Sequence, residues 1–150
     1  MKKTLMVGWV IALTVFAVGG FAADKPKAKE KVAAPSDQDQ IMKVLDQWKA
    51  VTVALDFDKV LALYSDKFSS YEYGDKAGLA SFLKDSKSQG LFDGIAVDIS
   101  KAKVEVDKKK GTASVTGIEL KVTSGSATIS FDMAKEKANW LIKGMEVQQQ

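Results

Sequence analysis

The sequence predicts one α+β domain in which three helices pack inside a curved antiparallel sheet, as in a cone-shaped roll. Residues 36–90 carry apolar side chains at a spacing of three and four, which is typical of amphipathic helices. From Ile95 onward, apolar and polar residues alternate, which is typical of strands with one buried face. Wrapping such a sheet around such helices buries the apolar faces of both.

The first residues have the layout of a secretion signal. Two lysines precede an apolar stretch from Leu5 to Ala23, as in cleavable signal peptides. Small residues at Gly20 and Ala22 predict cleavage after Ala22, so residues 1–22 are interpreted as the signal and the mature protein as secreted or periplasmic. An uncleaved membrane anchor is the alternative, because the apolar run approaches the length of a spanning helix.

Residues 23–35 are predicted to form a disordered tether. They alternate lysine with alanine and proline and contain few large apolar residues that could join a core. The tether lysines suit a contact with anionic lipid or cell wall, and a merely solvated linker is the alternative. Residues 36–150 then form the single folded domain.

Several mechanisms are excluded by residue types that the sequence lacks. It contains no Cys, His or Arg, so a thiol nucleophile, an imidazole base, an ordinary zinc site and bidentate anion capture are ruled out. We therefore expect no metal and no cofactor. The net charge of +3 falls to +1 without Lys2 and Lys3, and acids and lysines are interspersed, so nucleic acid is not an expected partner.

The predicted helices are marked by their capping residues. Ser36 is placed to cap the first helix, and acidic residues in its first turn favour the helix dipole. Asp56 is placed to cap a second, shorter helix, and Asp75 a third that ends at Gly90. The predicted inward residues are Ile41, Val44, Leu45, Trp48, Thr52 and Leu55 in the first helix, Phe57, Val60, Leu61 and Tyr64 in the second, and Leu79, Phe82 and Leu83 in the third.

Between the second and third helices, Phe68–Tyr73 is predicted to be a short strand with Tyr71 and Tyr73 on one face. The alternating region that begins at Ile95 is predicted to be a four-strand meander. Its connecting loops are predicted at Asp107–Gly111, Ser124–Ser126 and Lys135–Ala138.

Pairing apolar residues across each loop predicts the register of the meander. The apolar parity flips near Ser100–Lys101 and Gly117–Ile118, which indicates a bulged or strongly twisted first hairpin. The predicted facing pairs are Val106 with Ala113, Val104 with Val115, Ile99 with Leu120, Val97 with Val122, Leu120 with Phe131, Val122 with Ile129, Phe131 with Ile142, and Met133 with Trp140.

The order of elements and some local strings resemble the nuclear-transport-factor-2-like superfamily, which includes ketosteroid-isomerase-like and SnoaL-like domains. The resemblance extends over Gln38–Val147. It rests on the helix that carries Trp48, on the segment Leu63–Phe68 (LYSDKF) and on the closing strand Trp140–Ile142 (WLI). It implies a cystatin-like roll. Because these are packing residues, the resemblance supports the fold more than any activity.

The resemblance also implies where a site would lie, because catalytic members place an Asp, His or Arg inside the cone. In the predicted register the only inward ionisable strand residue is Glu146, so the catalytic candidates are Glu146 with Tyr71 or Tyr73 as hydrogen-bond donor. Plain packing is the alternative for the aromatic residues. The residues predicted to line a pocket are Trp48, Thr52, Tyr64, Tyr71, Phe82, Ile99, Phe131 and Trp140.

Three functions follow from this pattern. The leading hypothesis is a non-catalytic periplasmic binding or accessory domain whose cone takes a small apolar ligand. The alternatives are a ketosteroid-isomerase-like or SnoaL-like enzyme, and a cell-envelope assembly domain with a filled cone. The last strand is apolar on both faces, so a homodimer through Leu141, Met145 and Val147 is also expected.

Overall fold

The computed structural model describes residues 35–150. The predicted signal peptide, and all of the predicted tether except Pro35, lie outside the described residues. The mixed α+β fold with helices and a curved sheet is confirmed. Its elements are α1 (Asp37–Val53), α2 (Phe57–Ala62), β1 (Tyr64–Ser70), β2 (Gly74–Asp75), α3 (Lys76–Ser88), β3 (Ala96–Asp98), β4 (Lys103–Asp107), β5 (Thr112–Val122), β6 (Gly125–Glu136) and β7 (Asn139–Gln149).

The start of α1 is held by a capping box, as the sequence predicts. The Ser36 hydroxyl accepts a hydrogen bond from the Asp39 N–H at 3.1 Å, and the Asp39 carboxylate accepts from the Ser36 N–H at 3.1 Å. Asp37 also ties this helix end to the sheet, because its carboxylate accepts from Lys135 Nζ at 2.6 Å and Trp140 Nε1 at 3.3 Å. The Lys135 hydrogen bond lowers the pKa of Asp37.

The predicted caps of the other two helices are also confirmed. The Asp56 carboxylate accepts from the Lys59 N–H, and the Asp75 carboxylate accepts from the Gly78 N–H at 2.9 Å. The helix α2 ends at Ala62, earlier than predicted, and Tyr64 begins β1. The reason is tertiary, because β1 pairs in parallel with β7 and this pairing captures Tyr64 in the sheet.

The sheet has seven strands in the order β2-β1-β7-β6-β5-β3, and β4 pairs with β5 beyond the end of β3. Helices α1, α2 and α3 contribute their apolar faces to one core with the inner face of this sheet. Buried side chains of β5 and β6, such as Val115, Ile118 and Phe131, form the floor of that core. Between residues 35 and 150, no helix is both long enough and apolar enough to cross a membrane.

The predicted irregularity in the first hairpin is present, but beyond it, where β3 pairs with β5, the register differs from the prediction. Val106 faces Ala113 as predicted, whereas Val97 faces Leu120 rather than Val122. The turn at residues 99–102 contains two more residues than the segment that faces it, which shifts the pairing. Gly117 lies in that facing segment with φ +80°, and a Cβ there would lie 2.7 Å from the Lys101 carbonyl oxygen. Only glycine meets both conditions without strain.

The predicted registers of the other two hairpins were wrong, because both turns are tighter than the predicted loops. Val122 pairs with Gly125, and Glu136 pairs with Asn139, so each connection has two residues. Leu120 consequently faces Ala127, not Phe131. Near the turns, each residue is displaced from its predicted partner by an even number of positions. An even displacement keeps each side chain on its predicted face of the sheet.

Candidate functional site

A cavity of about 460 Å³ lies between the helices and the inner face of the sheet. Its lining runs from fully buried residues, such as Trp48 and Val60, to exposed ones, such as Leu91 and Gln150, so the cavity opens to solvent. All three helices, the segment that follows α3, and strands β1, β5, β6 and β7 contribute to the lining. Ligand sites in proteins typically enclose about 300–1,000 Å³, so this cavity has the size of a small-molecule site.

The lining carries no ionised side chain at neutral pH. Within the described part of the chain it consists of aliphatic and aromatic residues, one methionine and one glycine, together with serine, threonine, tyrosine and glutamine. Five charged strand residues that were predicted to point outward are absent from the cavity lining, and these are Asp98, Glu119, Lys121, Asp132 and Lys143. The cavity is therefore an apolar space with uncharged hydrogen-bonding side chains and no charged side chain to neutralise an ion.

One wall of the cavity is held by a buried hydrogen-bonded chain of three residues from three elements. Trp48 Nε1 on α1 donates to the Tyr64 hydroxyl on β1 at 3.2 Å, and that hydroxyl donates to Met145 Sδ on β7 at 3.6 Å. Burial raises the pKa of Tyr64, and the Trp48 hydrogen bond offsets only part of this effect. The Tyr64 hydroxyl is thus neutral: it accepts from Trp48, and its proton is directed at the weakly accepting Met145 sulfur.

Two buried hydroxyl residues also line the cavity. Thr52 lies one helical turn after Trp48 on the same face of α1 and is 6% exposed, and Ser86 of α3 is 2% exposed. Within residues 35–150, the Thr52 Oγ1 has no hydrogen-bond partner although it is buried. Buried polar atoms in folded proteins are nearly always paired, which makes this hydroxyl notable.

Four aromatic rings surround the cavity near its opening. Tyr73 and Phe82 lie 4.6 Å apart between ring centroids, Phe82 and Phe92 lie 6.3 Å apart, and Phe57 and Phe92 lie 5.2 Å apart. Phe82 is 39% exposed and the neighbouring Leu91 is 47% exposed. Partial burial raises the pKa of Tyr73, and the negative charge of Glu72 raises it by a smaller amount. These rings form an apolar, partly exposed section of the cavity lining.

Four of the predicted lining residues border this cavity, and four do not. The prediction that Tyr71 lines the pocket is wrong, because this residue lies in a turn after β1 and is fully exposed, with a relative exposure of 101%. Ile99, Phe131 and Trp140 are buried in the core and do not reach the cavity surface. The four predicted residues that do border the cavity are Trp48, Thr52, Tyr64 and Phe82. Their contact with a ligand stays a prediction.

The end of β7 faces the opposite way from the prediction. Asp132 of β6 pairs with Gly144 and Met133 with Ile142, so Lys143 is an additional residue in β7. One extra residue inverts the faces beyond it. A Cβ at Gly144 would lie 3.2 Å from the Asp132 Cβ, which favours glycine at the position that follows the extra residue.

This inversion corrects two sets of predicted site residues. Glu146 is exposed on the outer face opposite Ser130, so it does not reach the cavity as a catalytic base. Met145 and Val147 point inward and line the cavity, so they do not form an outer dimer face. Of the three predicted interface residues, only Leu141 remains outside. A glycine inside a strand pattern is the sequence signal that could have revealed the bulge.

A second, wider groove of about 700 Å³ crosses the outer face of the sheet. Its walls carry charges of both signs, with Lys67 and Lys143 beside Glu105 and Asp132. None of its lining residues is a buried polar residue without a partner. Within residues 35–150, no cluster of three or more acidic side chains could hold a metal ion. The inner cavity is therefore the candidate site.

No protein-family model matches the sequence, and no curated protein is significantly similar to it. Solved structures are similar in fold. A protein of unknown function with a cystatin-like fold from Nostoc punctiforme has a TM-score of 0.61 at 13% identity, over 77% of this chain and 93% of that one. A nuclear-transport-factor-2-like protein of unknown function from Shewanella baltica has a TM-score of 0.58 at 15% identity, over 74% of this chain and 91% of that one.

The chain is also similar to part of a longer protein. Bd1075 of Bdellovibrio bacteriovorus has a TM-score of 0.63 at 14% identity, over 73% of this chain. The match spans only 39% of Bd1075. At such low identity, these likenesses establish the fold and leave the activity open.

Proposed function

We propose, from the premise that the chain has the cystatin-like fold of nuclear-transport-factor-2-like proteins, that it is an exported binding protein for a small, uncharged, largely apolar ligand. The ligand occupies the inner cavity, and the protein performs no acid–base chemistry on it. The observation that carries this proposal is the lining itself, which encloses about 460 Å³ without an ionised side chain.

The uncharged lining selects against ions. Moving a charged group from water into an apolar cavity is strongly unfavourable unless an opposite charge or several hydrogen bonds await it. The described lining offers no charged side chain, because its polar side chains are hydroxyls and amides. Apolar contact with residues such as Leu83, Ile129 and Val147 then supplies the affinity.

A ketosteroid-isomerase-like or SnoaL-like reaction is less well supported by this geometry. General acid–base catalysis at neutral pH needs a group whose pKa lies near 7. Glu146 is outside the cavity. The pKa values of Tyr64 and Tyr73 are both raised above the ordinary 10.0, away from neutrality. The hydroxyl of Tyr73, which stays protonated at neutral pH and borders the cavity, can donate a hydrogen bond, which is a binding role.

The assembly hypothesis expects a filled interior, and the cavity favours ligand binding over it. Homodimerisation and an envelope contact through residues 23–35 stay separate proposals. Light scattering of the purified protein tests the first, with a monomer well above micromolar concentration contradicting it. Export is tested by fractionation of an expressing bacterium. Cleavage is tested by the intact mass of the exported protein, which is expected to correspond to a chain that begins at residue 23.

Equilibrium dialysis with two ligands of similar size tests the binding proposal. We expect the protein recovered from an expressing bacterium to bind neutral 2-methylnaphthalene with a Kd of about 100 μM, from roughly 0.5 kcal/mol per non-hydrogen atom. The anion 2-naphthoate is expected to bind at least about tenfold more weakly, because its carboxylate would lose water without gaining a partner. Equal affinity for the two ligands would contradict an uncharged binding site.

A pair of variants on β6 shows whether the ligand occupies this cavity. Ala127 lines the cavity, whereas Ser130 lies three residues further along and faces outward opposite Glu146. Ala127→Phe is expected to weaken binding of 2-methylnaphthalene at least about tenfold by filling the space, and Ser130→Phe is expected to leave it unchanged. Binding that survives Ala127→Phe would occur elsewhere on the protein, including residues 1–34, and would refute the assignment.

A further inference from the structure

We infer that the ligand presents a neutral carbonyl oxygen to the hydroxyl of Tyr73, which donates a hydrogen bond to it and so determines which apolar molecules bind best. The inference rests on the proposed binding function and goes beyond it by stating which functional group the ligand carries. It starts from the way the fold holds Tyr73 at the cavity.

The backbone around Tyr73 is fixed by contacts with three other elements. The Tyr73 N–H donates to the Ser70 hydroxyl of β1 at 3.0 Å. The neighbouring Glu72 carboxylate accepts from the Val147 N–H of β7 at 3.4 Å. The first turn of α3 lies directly against the Tyr73 carbonyl, which is possible because Gly78 has no Cβ to clash with it. The position of the Tyr73 ring is therefore set before a ligand arrives, which lowers the entropic cost of binding.

The Tyr73 side chain borders the cavity and keeps an accessible hydroxyl. Its ring is partly buried and packs on Phe82 with 4.6 Å between the ring centroids. Within residues 35–150 no group is hydrogen-bonded to the Tyr73 hydroxyl, and the one buried unpaired side-chain atom there is Thr52 Oγ1. The Tyr73 hydroxyl is thus unpaired without being closed off.

The Tyr73 hydroxyl lies on the cavity side of its turn. Burial raises the pKa of Tyr64, and the charge that Tyr73 would carry if ionised raises it further by a smaller amount. Such an effect requires the two hydroxyls to lie near each other. The Tyr64 hydroxyl is in contact with Met145, which lines the cavity. A ligand that occupies the cavity is therefore within reach of the Tyr73 hydroxyl.

Other polar side chains of the lining are less suited to this contact. Thr52 Oγ1 has no accessible surface, and the Tyr64 hydroxyl is buried and already hydrogen-bonded. Ser124 and Gln149 are exposed, so water competes for their hydrogen bonds and the net gain from a ligand is small. Tyr73 combines an accessible hydroxyl with apolar neighbours.

The surroundings of Tyr73 favour a neutral acceptor over an anion. Partial burial, and to a smaller extent the negative charge of Glu72, raises the pKa of Tyr73, so its hydroxyl is protonated at neutral pH and donates. The same Glu72 charge would repel a ligand carboxylate at this hydroxyl, and the described lining contains no Lys to offset the repulsion.

A carbonyl suits this position better than an alcohol. A ketone or ester carbonyl accepts the Tyr73 proton and brings no proton of its own. An alcohol would bring a second donor, which the neighbouring ring of Phe82 cannot accept as an oxygen would. The ligand class is thus an apolar molecule with a ketone or ester group.

The test compares 2-acetylnaphthalene with 2-isopropylnaphthalene, which have the same ring system and nearly the same shape but differ by the carbonyl oxygen. Their affinities are measured by equilibrium dialysis for the unmodified protein, Tyr73→Phe and Tyr71→Phe. The quantity of interest is the Kd of 2-isopropylnaphthalene divided by that of 2-acetylnaphthalene. The different hydration of the two ligands affects this ratio equally in each protein, so it cancels when proteins are compared.

We expect Tyr73→Phe to lower this ratio about fivefold, because the hydrogen bond to the ligand oxygen is lost while the ring is kept. Tyr71→Phe is the matched control, since it removes the same hydroxyl at a fully exposed position outside the cavity lining. It is expected to leave the ratio within about twofold of the unmodified protein.

Infrared spectroscopy of bound 2-acetylnaphthalene adds a readout that needs no variant. A hydrogen bond weakens the C=O bond, so we expect its stretching frequency in the unmodified protein to be lower than in cyclohexane. A frequency equal to that in cyclohexane would overturn the inference even if Tyr73→Phe did not fold.

The outcomes separate this inference from the proposed function. An unchanged ratio in Tyr73→Phe, with both ligands still bound, would overturn the role of Tyr73 and leave the apolar binding site standing. A fall in the ratio that Tyr71→Phe shared would also overturn it, since the position of Tyr73 at the cavity would then not be the cause. If the unmodified protein bound neither ligand, the proposed function itself would fail, and the inference with it.

Discussion

Replacing Tyr64 with phenylalanine removes one atom that joins three elements of the fold. The Tyr64 hydroxyl accepts from Trp48 Nε1 at 3.2 Å and donates to Met145 Sδ at 3.6 Å. Tyr64 is 3% exposed, so water does not replace these contacts. Tyr64→Phe keeps the ring, whose edge-on contact with Phe68 has a centroid distance of 5.0 Å. The substitution therefore isolates the hydroxyl.

The expected loss of stability at neutral pH is dominated by the indole N–H of Trp48. Trp48 is 3% exposed, and in Tyr64→Phe its N–H loses the acceptor that the structure provides. Leaving a buried donor unsatisfied costs about 1–3 kcal/mol. The weaker bond to the Met145 sulfur adds little. We expect the free energy of unfolding at pH 7 to fall by about 2 kcal/mol.

The raised pKa of Tyr64 predicts how this difference changes with pH. In the unfolded chain the tyrosine ionises near its ordinary pKa of 10.0, whereas burial holds the folded pKa above that value. The stability contributed by the protonated hydroxyl is full below pH 10 and is lost as the pH rises further, because only the unfolded state releases the proton. Tyr64→Phe has no such loss.

The stability gap between the two proteins is therefore expected to shrink by about 1.4 kcal/mol between about pH 9 and pH 11. Urea denaturation followed by circular dichroism at several pH values measures it. Tyr71→Phe is the matched control, since Tyr71 is fully exposed and its substitution should change stability little at any pH. A Tyr64→Phe protein as stable as the unmodified one at pH 7, or a gap independent of pH, would refute the argument.

Three further substitutions test other parts of the structure. Gly117→Ala should lower the free energy of unfolding by about 1–2 kcal/mol more than Gly74→Ala. Both glycines have a positive φ, but only at Gly117 would a Cβ meet the Lys101 carbonyl oxygen. Equal losses of stability in urea denaturation would contradict this clash. Asp37→Asn should destabilise the protein near pH 7 and progressively less below pH 4, since the lowered pKa of Asp37 contributes stability that is lost as the pH falls from the ordinary pKa of 3.8 through the lower folded value. A difference in the free energy of unfolding that is as large at pH 3 as at pH 7 would argue against it. Thr52→Val should keep or raise the free energy of unfolding of the ligand-free protein by about 1 kcal/mol, and a loss would show that the hydroxyl has a partner within the protein.

Local signals were sufficient for the helix starts and for the faces of most strands. The caps at Ser36, Asp56 and Asp75 involve hydrogen bonds to residues three positions away, so a few neighbouring residues determine them. Alternation likewise placed Ile129 and Met133 inward, because side-chain direction in a strand depends only on parity. Composition alone excluded thiol and imidazole chemistry.

Contacts between distant parts of the chain decided which residues reach the cavity. Tyr64 belongs to a strand because β7, nearly eighty residues away, pairs with it. Hairpin registers follow from the number of residues in each turn, which apolar alternation does not specify, and even-numbered errors there left the faces unchanged. The single extra residue at Lys143 did change them, and it moved Met145 inward and Glu146 outward. Parity is a local property of the backbone, whereas a bulge forms where two strands must fit side by side, so only the tertiary structure removed Glu146 from the candidate site and left its lining without a charged side chain.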